Sequence, residues 1–141
     1  VDFQHLLPIS SDAFTKKLDN WSIQYKYFEH VPLKTVNESK SVQDALINLK
    51  NLQFKIGAGR LSFGSSNRLM EHLGVFPGAV TPFSMINGVH KNVVLFMDLS
   101  LKNYKKIYAH PLVNDRTLEI TIEDLEMFFK KINVIPKWIN L

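Results

Sequence analysis

Pro77-Gly78-Ala79-Val80-Thr81-Pro82, running into Phe83-Ser84-Met85-Ile86-Asn87-Gly88, is the stretch around which this chain is organised. Gly78 has no side chain to obstruct a close approach and can take positive φ, while Pro82 fixes the exit of the loop and withholds one N–H. Two readings follow: a plain turn into a strand, or a loop whose backbone must come close to a bound group. The region from Gly57 to Asn114 surrounds this loop, and the segments on either side read as scaffold.

Working outward, Thr81 to Asn87 and Asn92 to Asp98 are apolar runs joined through Asn87-Gly88, a pattern that predicts a hairpin with a bulge. Val93-Val94-Leu95-Phe96-Met97 is continuously apolar and predicts a strand buried on both faces at the centre of the sheet. On the other side of the loop, Ser65 or Ser66 caps a helix through Leu69, Met70 and Leu73 that Gly74 ends. Further upstream, Asn48 to Ile56 predicts a helix with Leu49, Leu52 and Ile56 on one side, stopped by Gly57 and followed by a strand at Arg60-Leu61-Ser62-Phe63. Gly57-Ala58-Gly59 therefore fails as a dinucleotide loop, which needs a strand before it and a helix opening within it.

At the N-terminal side, Ser10-Ser11-Asp12 offers caps to a helix through Asn20 with Phe14, Leu18 and Trp21 on one stripe. Ile23 to Phe28 alternates and is rich in aromatics, which predicts a strand ending at Glu29-His30-Val31-Pro32. His30 at that end reads first as a structural histidine. Thr35 and Glu38 have capping-box spacing for a short helix toward Ser41. At the C-terminal side, Ile107-Tyr108-Ala109 and Arg116 to Ile120 read as strands, and Thr121 caps a helix whose Leu125, Phe128, Phe129 and Ile132 face the core. A last strand follows Pro136 at Trp138-Ile139. Lys102, Lys105 and Lys106 crowd one connection, either as a solvated face or as a phosphate-steering patch.

The 141 residues fit one domain, and 45% hydrophobic with 21% charged residues is an ordinary globular balance. With no cysteine there is no disulfide, thiol nucleophile or Cys-ligated zinc. No apolar run approaches the roughly 20 residues of a membrane span. The net charge of +4 and pI near 9.3 favour an anionic partner and do not specify nucleic acid. No serine lies in a nucleophile elbow, and the five histidines are scattered without helical metal-ligand spacing, so neither a covalent nucleophile nor a metal site is expected. What remains is His110, held at a strand end by Pro111 with Asn114 nearby, and the Gly78 loop with its backbone amides. Oriented donors of this kind can bind an ester carbonyl and position a water.

Four motifs in this order carry a resemblance. They are Arg60-Leu61-Ser62-Phe63-Gly64-Ser65, Leu73 to Phe83, His110-Pro111-Leu112-Val113-Asn114, and Ile120-Thr121-Ile122-Glu123-Asp124-Leu125. Together they resemble the YbaK and prolyl-tRNA synthetase associated editing-domain family, with its free-standing ProX-type branch, alanyl-tRNA(Pro) deacylases, the nearest in appearance. The resemblance implies an α/β (α+β) fold, a single domain over residues 1–141 with a mixed, strongly curved sheet flanked by helices. It implies an aminoacyl-tRNA deacylase without cofactor, acting on mischarged tRNA(Pro), most of all with alanine attached. It places Gly78 and Pro82 on the family's Gly-x-x-x-Pro substrate loop, with Ala79 between them. His110 falls on the pocket histidine, supported by Asn114, and Val31, Leu33 and Thr35 line the pocket through a His-x-Pro-x-x-Thr neighbourhood. The terminal ribose hydroxyl assists, which explains why no protein base stands out. The expected setting is cytoplasmic, without membrane or DNA partners and with prolyl-tRNA synthetase open as a second partner.

One departure matters. The family carries two strands and a lysine motif for the terminal phosphate between the helix starting near Thr35 and the helix at Asn48, and this sequence has no counterpart. The expectation is a segment omitted between about residues 38 and 45, since losing core strands is poorly tolerated. The alternative is a non-catalytic module that binds an aminoacyl-tRNA or a synthetase.

Overall fold

The computed structural model describes residues 6–31, 53, 55–57, 59 and 61–140. Among these, four α-helices and two small sheets follow one another along the chain, an α+β architecture. Helix α1 (Ser11–Asn20) starts as the sequence predicts, with the Ser10 hydroxyl accepting the Ala13 N–H. It closes with Ser22 in the left-handed region (φ 60°) and the Ile23 N–H donating to Leu18. That closure uses Ile23, so strand β1 runs Lys26–Glu29 and begins later than the alternation suggests.

Helix α2 (Ser66–Leu73) is capped by Ser65 and ended by Gly74 at φ 66°. The next stretch overturns the predicted hairpin. Thr81 caps a 3-10 turn at Pro82–Ser84, which runs directly into the short helix α3 (Met85–Gly88) and a second 3-10 turn at Val89–Lys91. Gly88 sits at φ −62°, whereas a type I′ hairpin turn requires positive φ at both central residues. The Asn87 amide instead donates to the Leu73 carbonyl at 3.0 Å, tying α3 to the end of α2. A short apolar run buried all round has no period that separates strand from helix.

Strand β2 (Phe96–Asp98) also corrects the expectation of a doubly buried central strand. Val94 is 57% exposed while Met97 is buried, and the only described partner of β2 is β5 (Lys137–Ile139), in parallel. Apolar residues on the solvent side had concealed the alternation. Residues 61–63 carry no strand either: Phe63 is 91% exposed, and the Leu61 N–H donates to the Gln53 side chain. The proposed capping box at Thr35 and the join between residues 38 and 45 lie outside the described residues.

The other sheet is antiparallel in the order β1-β4-β3, with β3 at Lys106–Ala109 and β4 at Arg116–Thr121. Its register sets Phe28 opposite Thr117, and both Lys26 and Tyr108 opposite Glu119. Leu118 and Ile120 point the other way, into the core. Helix α4 (Ile122–Lys131) follows β4 directly, with the Thr121 hydroxyl accepting the Asp124 N–H and Leu125, Phe128 and Phe129 buried. At the centre, Phe14 of α1, Phe83 and Phe128 of α4 meet with ring centroids 5.0 to 5.6 Å apart.

Gly74 offers a test of the α2–α3 junction. A Cβ there would stand 2.5 Å from the Asn87 amide nitrogen on a backbone already in the left-handed region. Gly74→Ala is expected to cost on the order of 1–2 kcal/mol, read as a lower urea midpoint with unchanged slope. An unchanged midpoint would mean that Asn87 is not fixed by its bond to Leu73.

Candidate functional site

The histidine corner is built on β4 and its two neighbours. After β3 the chain turns sharply at His110-Pro111-Leu112, with the Leu112 N–H donating to the His110 carbonyl at 2.9 Å. Leu112 is 1% exposed and holds φ 70°, a left-handed conformation rare for a side chain branched at Cγ and maintained here by burial. The His110 Nδ1 lies 2.8 Å from the Arg116 carbonyl. A carbonyl only accepts, so Nδ1 carries the proton, and in the neutral ring Nε2 presents its lone pair.

His30 extends β1 by one step, its N–H donating to the Asp115 carbonyl at 2.9 Å. Its Nδ1–H donates to the Val31 carbonyl at 2.9 Å, and its Nε2 accepts the Thr117 hydroxyl at 2.7 Å. The two imidazoles stand 5.8 Å apart between centroids. His30 is thus part of a fixed pair and not merely a strand-end residue, and Thr117 is the residue that sequence reading missed. Strand alternation alone would have placed Thr117 on the face opposite Leu118 and Ile120. No side chain chemistry marked it out.

Behind the pair, Arg116 is mostly buried and donates from Nη1 to the Asp12 carboxylate at 2.8 Å, fastening α1 to β4. Burial would lower its pKa, but Tyr27, Asp12 and Asp115 outweigh that and hold the guanidinium firmly charged. The Tyr27 phenol is pushed up to about 12 by burial and by its hydrogen bond to Glu29. Asp115 Oδ1 is buried, has no hydrogen bond among the described residues, and lies 3.7 Å from Arg116 Nε.

The Gly78 loop is a type II turn. The Ala79 N–H donates to the Phe76 carbonyl at 3.1 Å, with Pro77 in the second position and Gly78 in the third at φ 87°. Pro77, Gly78 and Val80 are exposed, whereas Ala79 and Thr81 are buried. The Ala79 amide is therefore committed to the turn, and Ala79 faces the core. Ala79 and Phe83 belong to the large buried core that also includes Leu112 and Leu118. Pro82 is partly buried at the start of its 3-10 turn, Asn114 is partly buried, and Val31 is 77% exposed. Leu33 and Thr35 lie outside the described residues. Among the described residues no group of three or more His, Asp or Glu side chains is arranged to hold a metal, and no helix is long and apolar enough to cross a membrane.

The strained loop corner, the two tautomer-fixed histidines and the glycine turn sit on an α+β body, and comparison with known proteins gives the class of that body. The family model for the aminoacyl-tRNA editing domain matches residues 42–128, and the chain belongs to this family. Among its relatives is the prolyl-tRNA editing protein ProX of Acetoanaerobium sticklandii, 30% identical over 149 residues, covering 86% of this chain and 91% of that one. Another is the mouse prolyl-tRNA synthetase associated domain-containing protein 1, 30% identical over 102 residues, where the match spans 70% of this chain and 60% of the mouse protein. In structure, a hypothetical protein solved by crystallography aligns with TM-score 0.59 at 15% identity, covering 88% of this chain and 96% of that one, a likeness of fold alone. The family and fold expected from the motifs are thus those found.

The fixed tautomers can be read directly. Long-range proton–nitrogen NMR should show both His30 and His110 as Nδ1–H forms when neutral. Thr117→Val, which removes one hydrogen bond worth about 0.5–1.5 kcal/mol, should loosen His30 toward a tautomer mixture and leave His110 unchanged. An Nε2–H form at His110 in the parent protein would contradict the assignment.

Proposed function

We propose that this protein is a trans-editing hydrolase that removes alanine from mischarged tRNA(Pro). Its main support is the His110 ring, whose Nδ1 is committed to the Arg116 carbonyl so that Nε2 is left as a directed acceptor in a member of the aminoacyl-tRNA editing family. The substrate ester sits between His110 and the Gly78 turn. Exposed backbone N–H groups of Gly78 and Val80 face the carbonyl oxygen and stabilise the negative charge that develops as water adds to the carbonyl carbon. The Ala79 amide takes no part in that, being used by the turn. His110 Nε2 accepts a hydrogen bond from the attacking water, or from the ammonium group beside the ester, and so orients it. The terminal ribose hydroxyl assists proton transfer, and the C–O bond to the ribose breaks to release free alanine. Pro82, Asn114, Val31, Leu33 and Thr35 shape a pocket that admits alanine and excludes proline by size. The reading places the protein in the cytoplasm, with tRNA(Pro) as partner and prolyl-tRNA synthetase as a second one.

The runner-up is a non-catalytic module that binds the same tRNA end. One observation favours it: the ProX match spans 149 positions but only 86% of this chain, about 121 residues, so that relative has positions with no counterpart here. We place the difference between about residues 38 and 45: a true deletion there favours the module, whereas the omitted segment expected above, with the family's phosphate-contacting lysine, leaves the hydrolase reading in place.

Alanine release from alanyl-tRNA(Pro), run beside prolyl- and cysteinyl-tRNA(Pro), separates the two. The hydrolase reading expects loss of alanine with proline spared, His110→Ala slower by about 10- to 100-fold, and Gly78→Val slower by about 100-fold or more. No release from any of the three by a chain confirmed to contain the segment would leave the binding module.

A further inference from the structure

The outer face of the β1-β4-β3 sheet continues away from the histidine corner, and it carries aromatic rings beside lysines. Register puts Lys26, Phe28 and His30 of the β1 side on the same face as Thr117 and Glu119 of β4 and Tyr108 and Lys106 of β3. Side-chain bonds agree: the Tyr108 hydroxyl donates to Glu119 Oε1 at 3.0 Å, Lys106 Nζ lies 3.8 Å from the same oxygen, and Thr117 reaches His30. Phe28 is 44% and Tyr108 65% exposed, and both lysines are exposed as well. Two aromatic rings standing on a solvent-facing sheet between cations are not explained by the core, which the opposite face builds with Leu118 and Ile120. Flat aromatic surface flanked by lysines is what unpaired nucleotides use, by stacking and by phosphate contact.

We propose that this face seats the unpaired 3′ strand of the tRNA, with the two cytosines that precede the terminal adenosine stacked on Phe28 and Tyr108 and their phosphates met by Lys26 and Lys106. The proposal rests on the reading of the protein as one that engages aminoacyl-tRNA, and adds where the strand lies once its terminal adenosine is at His110. Phe28 shares a row with Thr117, beside the histidines, and Tyr108 lies one row further along with Lys26. Two residues along a strand cover about 7 Å, the scale of one nucleotide step. Glu119 at the centre would repel a phosphate, but it is 13% exposed and already bonded to Tyr108 and Lys106. Its remaining acceptor capacity suits the exocyclic amino group of cytosine.

The test is binding, by fluorescence anisotropy at low salt, of a hairpin RNA acceptor stem ending in unpaired ACCA, against the same hairpin without the tail. Neither RNA carries an aminoacyl ester, so the result stands apart from whether the protein deacylates anything. The tailed hairpin is expected to bind at least tenfold more tightly, and Phe28→Ala or Tyr108→Ala to remove roughly 5- to 100-fold of that preference. Phe28→Tyr and Tyr108→Phe, which keep the rings, should retain it. Should Phe28→Ala fail to fold, Phe28→Leu keeps the bulk, lacks the ring and is expected to show the same loss. Replacing Lys26 and Lys106 together by Gln should flatten the salt dependence by about 0.7 in slope per phosphate lost. Equal binding of the two hairpins, or a tail preference unchanged in Phe28→Ala with Tyr108→Ala, would overturn the proposal.

Discussion

Phe14, Phe83 and Phe128 come from three separate parts of the chain and meet as mutually tilted rings, and much else in the fold follows from that contact. Each ring brings large apolar area out of water, and each such pair adds about 0.5–1.5 kcal/mol beyond area alone. The geometric consequence is as important as the energy. Phe83 lies just after the Thr81-Pro82 exit of the Gly78 turn, so seating its ring fixes where that turn emerges. Phe128 seats α4, and α4 begins where β4 ends. One aromatic cluster thus positions both the turn and the strand that carries the histidine corner.

Strand β4 distributes that order to the site. Its Arg116 carbonyl sets the tautomer of His110, its Thr117 hydroxyl engages His30, and its Arg116 guanidinium reaches across to Asp12 on α1. Thr117 and Glu119 face one way and Leu118 and Ile120 face the core, because strand side chains alternate. The two histidines are held by carbonyls and a hydroxyl, which orient the rings.

The helices at Ser11 and Ile122, with their serine and threonine caps, were legible in the sequence because capping chemistry is local. So were Gly74 as a helix stop and the position of His110 at a strand end. The Asn87-Gly88 hairpin was misread because the decisive contact, the Asn87 amide on the Leu73 carbonyl, joins residues fourteen apart and leaves no local pattern. Val93 to Met97 looked doubly buried because apolar side chains occupy both faces of a strand that is only partly covered. Thr117 escaped notice for a different reason. Its role exists only through His30, 87 positions away in the chain.

The central claim is that the Gly78 turn and the His30–Thr117–His110 corner form one site for an aminoacylated adenosine. Titration of the isotope-labelled protein with a non-hydrolysable amide analogue of alanyl-adenosine tests it most directly. The account predicts saturable shifts at the Gly78 and Val80 amides together with the His110 imidazole nitrogens, while the Lys137–Ile139 strand is undisturbed. Shifts confined to one of the two elements, or centred on another part of the surface, would contradict it.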